Sequence, residues 1–237
     1  MREKPKIPNI ELGKKLGRGV EKHVYENANN PDKVVMVYDR GFGIKAFPEV
    51  PRARFYLMNI LNLLYPKVFR HIDIATAQSE NILEYFITDN IELGPIHKRI
   101  LELNEKINEN HRDELVRQER EKLTNAIRKN PQYKRFLEIL EEVGMYVSSG
   151  GVDANITNFA QNQKGEMMYI DTIDPFGPEP IAGQIYLRFN DEVLKSRILQ
   201  NLKGDEQSRA LDYLKRIEQL LGEVNSRLAE KNKKYSD

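Results

Sequence analysis

Asp153, Asn158 and Asp171 are the residues whose types and spacing suit metal-assisted chemistry. Asn158 follows Asp153 by five positions within GGVDANITNF, and Asp171 follows Asn158 by thirteen, after the strand-like MMYI. Two carboxylates and an amide are hard oxygen donors, the kind Mg²⁺ accepts when it keeps phosphate oxygens in its shell. Singly, each reads as ordinary Asn/Asp turn chemistry; the joint arrangement is the signal. A second group lies in LGRGVEKHVYE, where Gly17 and Gly19 stand between the strand residue Leu16 and a second strand beginning near Val24. Glycines there let the backbone approach a polyphosphate and present N–H groups to it. A hairpin turn with no ligand has the same text, so the context must decide.

The elements that would position these residues follow from patterning. Residues 11 to 39 read as three antiparallel strands, with ANNPDK as a turn and VVMVY as a buried β-branched and aromatic run. Pro48 and Pro51 introduce RARFYLMNILNLLY, apolar over most of a helix surface and so a buried helix, and ILEYFIT at 82 to 88 reads as another strand. Residues 96 to 146 are helical, with a fresh start at Pro131, and Gly150 and Gly151 stop that run. NITNFAQNQKGEMMYIDTID then forms a hairpin turning at NQKG, PFGPEP ends it, and two helices follow at about 191 to 203 and 205 to 233. The chain thus divides into a β-rich part with one helix over 1–90 and a helical part over 91–237 that carries the hairpin at 150–176.

Bulk composition narrows the function classes. The chain has 237 residues, 37 Lys+Arg against 36 Asp+Glu, and no cysteine. A net charge near zero supplies no field for nucleic acid, and zero cysteine excludes disulfides, Cys-ligated zinc and a thiol nucleophile. There is no apolar run long enough for a membrane span and no secretory-type start, so a cytoplasmic site of synthesis is expected, from which signal-less export as an effector would look identical. The four histidines, His23, His71, His97 and His111, lack metal spacing.

Taken in order, these features resemble the protein kinase-like superfamily: a Gly-rich hairpin, a strand, a helix, a catalytic loop D-x-x-x-x-N, then a hairpin ending in a metal-binding Asp. GRGVEKHV (17–24) is similar to G-x-G-x-x-G-x-V except at the third Gly, DANITN (153–158) to the catalytic loop, and MMYID (167–171) to the strand entering the metal Asp. The resemblance covers about residues 11 to 176. It implies an α+β, bilobal kinase-like fold with a β-rich N-lobe and a reduced, mostly helical C-lobe. It further implies ATP and Mg²⁺ as cofactors, with Asp153 taking or orienting the proton of the attacking hydroxyl and Asn158 and Asp171 holding the metal. Gly17, Gly19, Val24 and Lys22 would line the nucleotide.

The departures are informative. Met36 stands where the family's strand lysine stands, and a thioether cannot neutralise phosphate. The resemblance of GRG-x-x-K-x-VY to the with-no-lysine kinases implies Lys22, at the third-glycine position, as the substitute, since a four-carbon stem lets a relocated ammonium reach the phosphates; the alternative is a solvated hairpin lysine. Lys45 lies past the strand's end and is a poorer choice. The first helix offers no Glu to pair with this lysine, and Glu49, just before it, is the nearest acid. His111, Arg112 and Asp113 spell HRD but are followed by Gln118, not Asn, at the required spacing, and read as a solvated face. Gly151 and Val152 replace the family's His and Arg, which implies no phosphorylation switch, and Asp174 in TIDPF is a second choice of metal ligand.

Three functions are expected in competition. The first is an ATP-dependent kinase acting on a hydroxyl, of a protein Ser or Thr or of a small molecule as in aminoglycoside- or choline-type phosphotransferases. The second, motivated by Met36 and by DTI in place of the usual text, is a pseudokinase scaffold. The third places a partner on the 96–130 helical insert, where Ile96, Ile100, Leu103 and Ile107 form one stripe that otherwise packs on its own domain.

Overall fold

The computed structural model describes residues 7, 9–18, 22–39, 47–73, 82–109, 113–147, 152, 158–182 and 184–234. The protein is α+β: a four-stranded antiparallel sheet followed by helices. Strands β1 (Leu12–Arg18), β2 (Lys22–Asn27), β3 (Lys33–Asp39) and β4 (Ile82–Asp89) lie in the order β1-β2-β3-β4. β3 is an inner strand, and Val34 to Tyr38 are all buried, as its β-branched and aromatic run anticipates. Side chains alternate across it. Val35 and Val37 join Leu12, Tyr25 and Tyr85 in a small cluster on one face, and Met36 and Tyr38 enter the main core on the other.

Helix α1 (Glu49–Leu64) crosses that main-core side and buries Val50, Ala53, Leu57, Met58, Ile60 and Leu61. It begins at Glu49, so both the acid and Pro51 lie in its first turn. Buried Asn59 fixes its far half: its Nδ2 donates to Ile72 O at 2.9 Å and its Oδ1 accepts from Ile72 N at 3.1 Å.

The polar stretch after β4 is two helices, α2 (Pro95–Glu109) and α3 (Glu114–Arg128), followed by α4 (Pro131–Gly144). Asp113 caps α3 by accepting from Val116 N, and Asn130 caps α4 with Pro131 at its first position. Asp113 of the HRD text is thus a helix cap, while His111 and Arg112 lie outside the described residues. Ile100 and Leu103 of the α2 stripe are buried and Ile96 packs on the main core, so the stripe faces inward. α4 ends at Gly144, before the glycines at 150 and 151, which also lie outside the described residues.

Strands β5 (Phe159–Gln161) and β6 (Met167–Tyr169) form the expected hairpin. Its turn closes where Asn162 Oδ1 accepts from Lys164 N and Glu166 N and Gly165 takes φ 81°. Helices α5 (Asp191–Asn201) and α6 (Gly204–Lys234) complete the chain. α6, about 46 Å long at 1.5 Å per residue over its 31 residues, lies against α1: the rings of Tyr56 and Tyr213 are 5.4 Å apart, and Arg227 meets buried Glu49 at 2.9 Å. One hydrophobic cluster runs from Met36 and Tyr38 of the sheet through α1 to Ile217 and Val224 of α6. Among the described residues, no helix is long and apolar enough to cross a membrane.

Candidate functional site

Lys22 opens β2 opposite Tyr38, and Val24 stands opposite Met36. All four therefore point toward the main-core side of the sheet, as a regular hairpin requires. On that side the β5–β6 hairpin comes up beside the segment following α1. Tyr169 N donates to Val68 O at 2.7 Å, and Phe69 pairs in parallel with Tyr169. The first residues beyond the hairpin thereby reach the sheet. Lys22 Nζ lies 2.6 Å from Asp171 Oδ1 and donates to Ile170 O at 3.2 Å. These contacts join positions 149 and 148 residues apart in the chain.

Asn158 stands at the same end of the hairpin. Its carbonyl accepts from Ile170 N at 2.8 Å, one step outside the Phe159–Tyr169 pair, which sets the backbone at 158 beside the residue that precedes Asp171. Asp171 Oδ1 accepts from both Lys22 Nζ and Thr172 N, and no hydrogen bond among the described residues uses Oδ2. The Asp171 carboxylate is an oxygen donor of the kind a hard divalent cation accepts alongside water and phosphate. Among the described residues no group of three or more His, Asp or Glu offers a metal a fuller cage.

Burial pushes the Lys22 ammonium below its ordinary range; Asp171 opposes this, and the charges of Arg70 and Arg54 reinforce it. Gly17 pairs with Val24, and a Cβ there would meet nothing within 4 Å, so this stretch of β1 has open space beside it. Gly19 and Asp153 lie outside the described residues, as does Lys45.

Two residues of the site carry no motif. Arg54 of α1 pairs with Asp174, and its guanidinium lies 5.1 Å from the Tyr38 ring centroid. Tyr38 in turn shares a 2.9 Å hydrogen bond with Thr172. Asp174, the second choice of metal ligand, is thus held by an arginine. Arg70 is buried at 8% exposure and donates to Asp89 O at 3.1 Å and Ile170 O at 3.3 Å, with Met36 Sδ 3.8 Å away. Burial pulls its guanidinium down to about 10, opposed by Tyr38 and Asp89, and leaves it charged at neutral pH.

Glu49 is not the partner of Lys22. It is 2% exposed and accepts from Arg227 of α6, while Lys22 takes Asp171. With an arginine in α1 and an aspartate on the lysine, ion pairing at this site differs from the arrangement the resemblance implies. Arg54 within the largely apolar RARFYLMNIL was the available sign, because a buried guanidinium demands a partner. No model of a known protein family matches the chain, and no curated protein matches it.

Proposed function

We propose that the protein is an ATP-dependent phosphotransferase of bilobal, protein kinase-like build that passes the γ-phosphoryl group to a hydroxyl, foremost that of a protein Ser or Thr. The observation carrying this reading is the ion pair of Lys22 with Asp171 at 2.6 Å beneath the sheet, at the hairpin end where the Asn158 backbone meets Ile170. Phosphoryl transfer asks little covalent chemistry of a protein and much positioning and charge neutralisation. Lys22 supplies positive charge beside Gly17 and Val24. Asp171 and Asn158 are the residues that would hold Mg²⁺, whose chemistry there is to neutralise phosphate oxygens. Asp153, five positions before Asn158, is assigned the proton of the accepting hydroxyl.

The test is transfer from γ-labelled ATP to a mixture of proteins and to the chain itself. Wild type should label an acceptor in the presence of Mg²⁺, Asp153→Ala should abolish labelling, and Lys22→Ala should weaken it strongly. Wild-type rates in Asp153→Ala would remove that residue from catalysis.

A second reading, a nucleotide-binding scaffold with little turnover, is favoured by Met36, which is 2% exposed in the core of the sheet. It requires tight MgATP binding with no label transferred to any acceptor.

A further inference from the structure

We propose that Arg70 is a second phosphate-binding cation, which with Lys22 replaces the charge that Met36 lacks. The inference rests on the phosphotransferase reading above and extends its phosphate site. Three observations place Arg70 there. First, Arg70 Nη2 and Lys22 Nζ converge on one acceptor, Ile170 O, at 3.3 and 3.2 Å, on the residue that precedes Asp171. Second, Arg70 Nη2 lies 3.8 Å from Met36 Sδ. The guanidinium therefore occupies the neighbourhood that a long cationic side chain at position 36 would reach, and a lysine at 36 would face a like charge. Third, Arg70 forms no ion pair among the described residues, and only the more distant Asp89 carboxylate offsets its charge. Its partners among the described residues are two carbonyls and the thioether, its Nε has no hydrogen-bond partner, and the Asp89 carboxylate is taken by Lys33 at 2.9 Å.

Burying a cation without a paired counter-charge is costly, and the cost is relieved when an anion arrives. Lys22 differs, being neutralised by Asp171 at 2.6 Å until that carboxylate is engaged elsewhere. The two cations play distinct parts: Arg70 provides standing positive charge, and Lys22 provides charge released when Asp171 takes a metal. The ligand class is a polyphosphate, whose oxygens suit the fork of a guanidinium.

The experiment is calorimetric titration of the full chain with inorganic tripolyphosphate and with MgATP, using wild type, Lys22→Ala, Arg70→Met, Arg70→Lys and the double variant M36K/R70M. Arg70→Met should lose about tenfold or more in affinity for tripolyphosphate, the loss expected for one charge-assisted contact. Arg70→Lys should fall in between, and M36K/R70M should regain affinity by supplying the cation from the strand. A purely structural Arg70 would lower the melting temperature of Arg70→Met and leave affinity alone. Here the melting temperature should hold or rise, because a buried cation is exchanged for an apolar side chain. Wild-type affinity in Arg70→Met, with Lys22→Ala weakened, overturns this inference and leaves the phosphotransferase reading intact. A wild-type chain that binds neither ligand overturns both.

Discussion

At the residue scale, Lys22 rests on Asp171 at 2.6 Å, and under the proposed function it has a second state on phosphate. Lys22→Ala should weaken MgATP binding by at least about tenfold, the scale of one charge-assisted contact, measured by calorimetry, with Lys22→Arg recovering part of it. Another residue sets a pH dependence unconnected with chemistry. His97 is fully buried, accepts from Gln161 N at 3.4 Å through Nδ1, and burial pushes its pKa down to about 4. Between its ordinary value near 6.5 and about 4, the unfolded chain binds a proton that the folded chain refuses, so acidification through that window weakens the fold. The loss should be about 2 kcal/mol from pH 7 to 5. The melting temperature of His97→Gln should fall less over that range than that of wild type; equal falls would remove His97 as the cause. The places of Asn158 and Asp171 at the hairpin end and of Lys22 at the start of a strand were legible from turn and strand patterning, while Lys22 was singled out by the resemblance of the Gly-rich stretch. The roles of Arg54 and Arg70 were not legible, since neither RARFYLMNIL nor KVFRHID carries a motif, and only packing reveals what the two guanidinium groups meet.

At the scale of elements, the decisive contact is α6 against α1, since α1 carries Arg54 to Asp174. Glu49 and Arg227 tie the two helices with unequal burial, 2% and 53% exposed at the side chain. Removing the exposed partner strands a buried carboxylate, while neutralising the buried one strands nothing. Arg227→Ala should therefore cost about 2 kcal/mol and Glu49→Gln under about 1 kcal/mol in urea unfolding. Equal costs would contradict a buried, charge-dependent contact. Strands, the helix after Pro48, the fresh start at Pro131 and the NQKG turn were all legible, because β-branched runs, proline and Asn/Gly chemistry act locally. The break between α2 and α3 was not anticipated, although Asp113 is a good cap. The docking of α6 on α1 was also hidden, because a long amphipathic helix does not state which neighbour its apolar face will meet.

For the whole molecule, the α+β class and the order of elements were legible, while the continuity of the core was not. The division at residue 90 separates the β-rich part from the helical part in sequence, yet one hydrophobic cluster joins Met36 and Tyr38 to Ile217 and Val224. Such a core predicts a single cooperative transition, with tyrosine fluorescence and far-ultraviolet circular dichroism coincident in urea. Two separated transitions would show that the parts fold independently. Ile217, fully buried in that cluster, should cost about 3 kcal/mol when replaced by alanine.

The central claim is that Lys22, Asn158 and Asp171 form one metal–polyphosphate site. Titration of the chain with ATP, with and without Mg²⁺, for wild type and Asp171→Asn tests it most directly. The account predicts Mg²⁺-dependent binding by wild type and loss of that dependence in Asp171→Asn; identical Mg²⁺-dependent binding by the two proteins would contradict it.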